Sequence, residues 1–460
     1  MLNKNKFHIN KFKNPPYFGQ VVKTKNLFYF LKNGNKIFDA TSGWTSFATL
    51  GFNNDKIIRA IKKQMAKFFH VDYNIWKNPD IEKLSLILNE PFEKKNYKVY
   101  FSGNSGSESI EAAIKLSYQA HYNSGLINKK LIISRVQSFH GATLQALRSS
   151  DLPILKIFQL DGELENLKIH QHNYFALCKY SYRKKKCFCN KSPDKCIGRF
   201  ENESEKEYLS RSIKYLEDVI REFGAENINA FVAETQLGSL VGDVPALSGY
   251  WKKISEICKK NKIHLILDEV YCGMGRGGMF YNFLWENINP DFVCLGKNTT
   301  SGHIPLSFVL VKKNFEELLL KKDGRIKIGH TFQGFSLGIA AAIETAKILL
   351  SKNFLQNVIS LGDYARSYLK NQLSDNIFFS NIRGRGMQFS LEHNTPDNVK
   401  FSKNLTKIMF NEHKILINCK WHRTSFTPSL IISKKQIDFL MDCFVKAFKK
   451  TQKTSFFKKI

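Results

Sequence analysis

Two charged side chains at the ends of apolar runs have the types and the spacing for one chemistry. Lys297 lies 29 residues after Asp268. Asp268 opens the tripeptide Asp268-Glu269-Val270 at the close of the run 264–270, and Lys297 directly follows the run 291–296. Short β-branched and apolar runs that stop at a charged residue read as buried parallel strands. In open parallel sheets, ligands bind beyond the carboxyl ends of the strands, where both charges would project. A lysine there can form a Schiff base with an aldehyde, and a carboxylate on the next strand can keep a pyridine nitrogen protonated. That pair is what pyridoxal 5'-phosphate chemistry requires. An adjacent pyridinium would also keep Asp268 charged where burial alone would neutralise it.

A third word suits an anion. Ser105-Gly106-Ser107 follows the apolar run 97–101 and opens a helical pattern, with Ser105 and Glu108 at capping-box spacing. Helix N-termini offer free N–H groups and positive dipole, and small residues let a phosphate approach. By itself the same word is an ordinary helix cap.

The words around these residues resemble class III (ω-amino acid type) aminotransferases. The stretch 267–278, LDEVYCGMGRGG, is similar to the family's DEV-x-x-G-x-GR-x-G signature. Asn289-Pro290-Asp291 with Lys297, Gly302 and Pro305 matches the lysine segment, and 39–51 the family's opening segment. Ser105 to Lys115 is similar to its SG-[ST]-E-x-x-E-x-x-x-K phosphate turn. Phe139-His140-Gly141, the segment 329–334 and Arg383-Gly384-Arg385-Gly386 follow in family order, so that similar words run from about 39 to 430.

The resemblance implies fold type I: an α/β large lobe with a mostly parallel sheet, and a smaller α+β lobe. It implies Lys297 and Asp268 as catalytic residues. Ser105, Gly106 and Ser107 would hold the cofactor phosphate, Phe139 would stack on one face of its ring, and Val270 would close the other. His140 would stand behind them, and Glu234 would orient neighbours; its turn reads Glu234-Thr235-Gln236-Leu237-Gly238, without the family's usual proline. Thr331 would reach the phosphate of a neighbouring subunit, which implies a homodimer with shared sites. The implied reaction moves an amino group from an amine or an ω- or β-amino acid to an oxo acid. An aminomutase, decarboxylase or phospho-lyase would share every cofactor residue. A rival of another class is an inactive relative serving as a basic binding protein.

Residues that would meet the substrate are less plain. Trp44 resembles a substrate-side aromatic, and a structural tryptophan reads equally well. Many relatives hold a carboxylate with an arginine just before an aromatic-x-Pro-Pro-Leu segment, gated by a glutamate. Those positions fall here on Ser425 and Ser239, so both partners of the ion pair are missing. Arg423 lies two residues before Ser425, on the same face of a strand. It is expected to contact the carboxylate, with Arg383 as second candidate; an ordinary surface charge is the alternative for Arg423.

Positioning these residues takes an alternating chain. Residues 1–52 read as a strand-and-loop arm that contributes to the small lobe. From 53 a helix carries Ile57, Ile58, Ile61 and Met65. Runs at 97–101, 131–136, 230–233, 264–270, 291–296 and 306–311 then alternate with helices, which implies a mostly parallel sheet covered on both faces. The large domain is expected over 53–334. From 335 a long helix leads to a smaller domain that runs to 460. Residues 171–206 read as a polar, basic insertion. They hold Cys178, Cys187, Cys189 and Cys196, four thiols that could ligate zinc, although the irregular spacing without C-x-x-C pairs suits an unliganded loop better.

Composition narrows the setting. The chain has 460 residues, 43% hydrophobic and 24% charged, the balance of a soluble globular protein of more than one domain. No apolar run reaches the ~18–20 residues of a membrane span, and the N-terminus lacks a signal-like apolar core, so no membrane partner and a cytoplasmic location are expected. Nine cysteines in such a chain are not a disulfide framework. The net charge of +30 comes mainly from scattered lysines without a nucleic-acid-binding module. Nucleic acid is therefore not the expected partner; a positive field would favour anionic substrates instead.

Overall fold

The computed structural model describes residues 18–92, 96–135, 137–152, 166–169, 203–238 and 240–456; for 166–169, 455 and 456 it gives the backbone only. The four cysteines of the insertion, most of 171–206, and Ser239 lie outside the described residues. In chain order the strands are β1 (Val21–Lys25), β2 (Phe28–Leu31), β3 (Lys36–Asp39), β4 (Tyr97–Gly103), β5 (Leu131–Arg135), β6 (Asn166–Ile169), β7 (Ile228–Glu234) and β8 (His264–Asp268). They continue with β9 (Phe292–Leu295), β10 (Ser307–Lys312), β11 (Phe379–Arg385), β12 (Gln388–His393), β13 (Ile415–Leu416), β14 (Asn418–Lys420) and β15 (Arg423–Phe426).

Seven strands form the central sheet in the order β4-β10-β9-β8-β7-β5-β6. The β9-β8-β7-β5-β6 ladders are parallel, and β10 runs antiparallel to both its neighbours. The α/β, mostly parallel sheet expected from the alternation is therefore present. Its strands β7 and β9 are buried along their whole length and β8 beyond its first residue, which requires apolar side chains on both faces. Ala230, Val232 and Ile266 join one core with Ile110, Ala113 and Ile114 of the helix Gly106–Asn123. Phe231, Ala233, Leu265 and Leu267 point the other way, into the larger core. The parallel run of β7, β8 and β9 puts their carboxyl ends on one rim.

The run 264–270 ends as strand at Asp268, two residues short of its apolar length. The Val270 N–H turns back to Asp268 Oδ1 at 2.9 Å, and that bond closes the strand. The helix expected from 53 starts at Asp55, because the Asn54 side chain caps it, and Met65 at its end is exposed rather than part of the buried stripe.

Two further sheets flank the large one. The first has the order β1-β2-β3-β13, with β3 parallel to β13, so the N-terminal arm shares a sheet with the C-terminal region. The second is antiparallel, in the order β11-β12-β15-β14. The helix Ser336–Leu349 begins beside the boundary expected at 335 and packs against the helices Asp55–Met65 and Pro79–Asn89.

Candidate active site

The rim of the central sheet opens on a cleft of about 690 Å³, within the range of small-molecule sites. Lys297 and Asp268 line it together with Ser105, Gly106, Ser107, Phe139, His140, Glu234 and Val270. The residues singled out as cofactor contacts thus share one cavity, apart from Thr331.

Asp268 is buried at the end of β8. Its Oδ2 accepts from His140 Nδ1 at 2.8 Å, and its Oδ1 accepts from the Val270 amide. A carboxylate accepts only, so Nδ1 carries the proton. Two donors leave acceptor capacity on Asp268 facing the cleft. Its neighbour Glu269 points to the other face of the chain, where the amides of Asn282 and Phe283 and the Thr235 hydroxyl hold it at 2.7, 2.6 and 2.9 Å. Burial raises the Glu269 carboxyl to about 7. Strand parity thus separates a cleft-facing acid from a structural one.

Lys297 follows β9 after Gly296 and holds φ at +38°, a left-handed backbone uncommon outside glycine. The next residue fixes that turn. Asn298 donates to the carbonyls of Tyr271 and Gly273, both at 3.2 Å, and accepts from the Thr49 hydroxyl at 2.6 Å. The Lys297 amine lies 5.3 Å from the centre of the Tyr271 ring. Burial lowers its pKa, and Asp268 and Glu234 partly offset that. Glu234 itself is raised to about 8, by burial first and by the Asp268 charge second. Its Oε1 accepts from the Gly238 amide at 3.1 Å, which fits an orienting role.

Ser105 and Glu108 form the capping box expected from their spacing, at the start of the helix Gly106–Asn123. The cap leaves Gly106 and Ser107 on the cleft wall at the positive end of the helix. A Cβ on Gly106 would stand 2.4 Å from Val270 Cγ1, so the close approach of helix and wall requires glycine. Phe139 is not core: it is 41% exposed and lines the cleft.

Trp44 lines the opposite side with Thr45, Phe47 and Leu240. Buried Asp39 shapes this loop by accepting from the amides of Thr41 and Gly43 at 2.8 and 2.6 Å. The Trp44 amide donates to the Thr41 hydroxyl at 2.7 Å while its own φ is +70°. Tyr271, Asn298 and Lys420 are part of this site and were not singled out from the sequence. Tyr271 sits inside the recognised 267–278 word, which was the available signal.

The two arginines stand apart from the cleft lining. Arg383 is paired with Glu392 at 2.6 Å and donates to the Val241 carbonyl at 2.8 Å. Arg423 is buried rather than a surface charge; it donates to the Leu240 carbonyl and backs a separate small cavity with Ser425. Thr331 is exposed and outside the cleft lining, and its carbonyl accepts from His70 Nε2 at 2.8 Å.

The sequence pattern of aminotransferase class-III proteins matches residues 10–448. The chain belongs to the class III aminotransferases. An aminotransferase of Gibberella zeae is 32% identical over 375 residues, 81% of this chain and 69% of that one. Gamma aminobutyrate transaminase 2 of Solanum lycopersicum is 28% identical over 94% of this chain and 92% of its own length. Among solved structures, a thermostable (S)-enantioselective omega-transaminase from Thermomicrobium roseum superposes with a TM-score of 0.80. It is 25% identical, over 95% of this chain and 93% of the other. This class III aminotransferase therefore has fold type I and depends on pyridoxal 5'-phosphate. Its own residues fit that cofactor. Asp268 offers the buried carboxylate for the ring nitrogen, Lys297 the amine for the aldehyde carbon, and Gly106 and Ser107 the helix terminus for the phosphate. Phe139 and Val270 line the same cleft and would meet the ring.

Proposed function

We propose that this enzyme transfers amino groups between an amine or an ω- or β-amino acid and an oxo acid, as a cytoplasmic homodimer with shared sites. The observation that carries the substrate reading is the make-up of the cleft beyond the cofactor residues. Trp44, Phe47, Leu240 and Tyr271 give an aromatic and apolar wall, suited to a carbon chain or ring next to the reacting amine. The gamma aminobutyrate transaminase among its relatives acts on a substrate of this kind.

When bound, the cofactor supplies the electrophilic carbon that carries the amino group and a ring that withdraws electrons from it. Asp268, held by His140 and the Val270 amide, would keep the ring nitrogen protonated. Lys297 Nζ takes the proton from the amino-bearing carbon of the donor and would pass it to the cofactor; with the oxo acid it works in reverse and returns one to the carbon that receives the amino group. Burial favours the neutral amine, which is the form that can accept a proton. Glu234 holds the 234–238 turn through the Gly238 amide.

The dimer rests on Thr331, exposed and outside the cleft of its own chain, next to exposed Phe332 and near His70, whose ring lies 5.8 Å from that of Phe332. Phe69, Ile75 and Trp76 are also exposed, a concentration of apolar surface that a second subunit would cover. Sedimentation at micromolar concentration should give twice the chain mass; a monomer that retains turnover refutes shared sites. The cytoplasmic reading is supported by five buried cysteines that are all free thiols; cell fractionation tests it.

The decisive experiment mixes holoenzyme with 4-aminobutanoate, β-alanine, a diamine or 1-phenylethylamine and follows the visible absorption of the cofactor. Bleaching by the amine and recovery with an oxo acid are expected. A cofactor band that none of these amines bleaches would refute amino transfer.

A further inference from the structure

Cations available to a substrate anion are few in this cleft. Among its described lining residues, the only lysines and arginines are Lys297 and Lys420. Lys297 is taken by the cofactor. Lys420 ends β14, exposed, with its Nζ 5.2 Å from the centre of the Trp44 ring. No carboxylate lies within ion-pair distance of it among the described residues. Partial burial lowers its pKa, and the Arg423 cation lowers it further, with no anion to compensate.

Its surroundings say what is missing. Lys420 and Arg423 are cross-strand partners in the β14–β15 ladder. Both line the side cavity, about 50 Å³, with Leu240, Asn418, Trp421 and Ser425. That volume holds a few waters or one carboxylate group. The side cavity shares Leu240, Asn418 and Lys420 with the cleft, and none of the phosphate turn at 104–107. The side cavity thus lies off the cofactor's anion site, and Lys420 lines both it and the cleft. The Arg423 guanidinium donates to the Leu240 carbonyl and adds positive field beside Lys420.

We propose that Lys420 is the specificity-determining cation of this enzyme. It receives the carboxylate of amino-acid and oxo-acid substrates where the cleft meets the side cavity, with the Trp44 ring beside it. A carboxylate there would relieve the repulsion between two neighbouring cations. This proposal rests on the amino-transfer reading above.

The test uses holoenzyme and two donors, 4-aminobutanoate and the uncharged-tail amine 1-phenylethylamine. Lys420→Met should raise the ratio of their KM values about two- to fivefold, the size expected for a partly exposed ion pair. Lys420→Arg should bring the ratio back toward wild type, and added salt should raise the wild-type KM for 4-aminobutanoate more than that for the other donor. If both donors react but the ratio in Lys420→Met stays the same or falls, this proposal alone is overturned. If wild-type enzyme reacts with 1-phenylethylamine but not with 4-aminobutanoate, this proposal alone is overturned; if no amine donor bleaches the bound cofactor, the amino-transfer reading falls, and this inference with it.

Discussion

Replacing His140 with alanine should weaken both cofactor binding and the reaction without touching either partner directly. His140 Nδ1 is one of two donors that hold the buried Asp268 carboxylate, 2.8 Å from Oδ2; the Val270 amide is the other. Removing it leaves a buried charge with half its protein donors. A hydrogen bond to a charged group contributes about 1.5–3 kcal/mol, so the carboxylate should support a ring N–H⁺ less well by about 10- to 150-fold. That factor should divide between the cofactor Kd, read by fluorescence titration of apoprotein, and the rate of cofactor bleaching by an amine in single turnover. His140→Asn is the informative control, because the asparagine amide can stand where Nδ1 stood. It should recover most of the loss. If His140→Ala matched wild type within about twofold in both measurements, Asp268 would not depend on this donor. Equal damage from alanine and asparagine would point instead to the ring's volume.

Lys297→Ala should abolish the visible cofactor band and multiple turnover together, since covalent attachment and proton movement reside in one amine; near-normal turnover would refute the assignment. Gly106→Ala should lower the melting temperature and the cofactor affinity, because the new methyl would stand 2.4 Å from Val270 Cγ1; overpacking of this kind costs about 1–3 kcal/mol, and unchanged calorimetry would contradict the contact. Burial raises the Glu234 carboxyl to about 8, above the ~4.3 of an unfolded glutamate. The folded chain therefore holds a proton that the unfolded chain gives up, and the stability this contributes below pH ~4.3 is lost as pH rises to about 8. Apoprotein melting temperatures should fall across that window, less steeply in Glu234→Gln; equal slopes in the two proteins would exclude Glu234 as a source.

The parts legible in the sequence are those set by local pattern. Apolar runs ending in Asp268 and Lys297 mark strand ends, and strand ends of a parallel sheet share a rim, so the two residues meet although 29 positions separate them. Ser105 and Glu108 form their capping box for purely local reasons. What stayed hidden depended on distant partners. Strand parity puts Arg423 and Ser425 on one face, and both line the same side cavity. Parity cannot say what a side chain meets, and the Leu240 carbonyl, far away in sequence, takes the guanidinium. Lys420 lies in a strand of three residues, too short for any periodicity, and its place in the cleft follows from pairing with β15. Phe139 follows a strand as core aromatics do, and only the cleft's position shows that its ring is partly open.

The bare backbone contact between Gly106 and Gly296 has a further consequence. A Cβ on Gly296 would lie 3.1 Å from both the nitrogen and the Cα of Gly106, so the residue before Lys297 rests directly on the first turn of the helix Gly106–Asn123. The spacing between the Lys297 main chain at one end of the cofactor's berth and the helix amides at the other is therefore set by main chain against main chain. No rotamer can lengthen or shorten it. Thermal motion should carry both ends together as one gauge of fixed length. Selection for a bulkier or longer substrate would then have to act on the Trp44 and Lys420 side of the cleft.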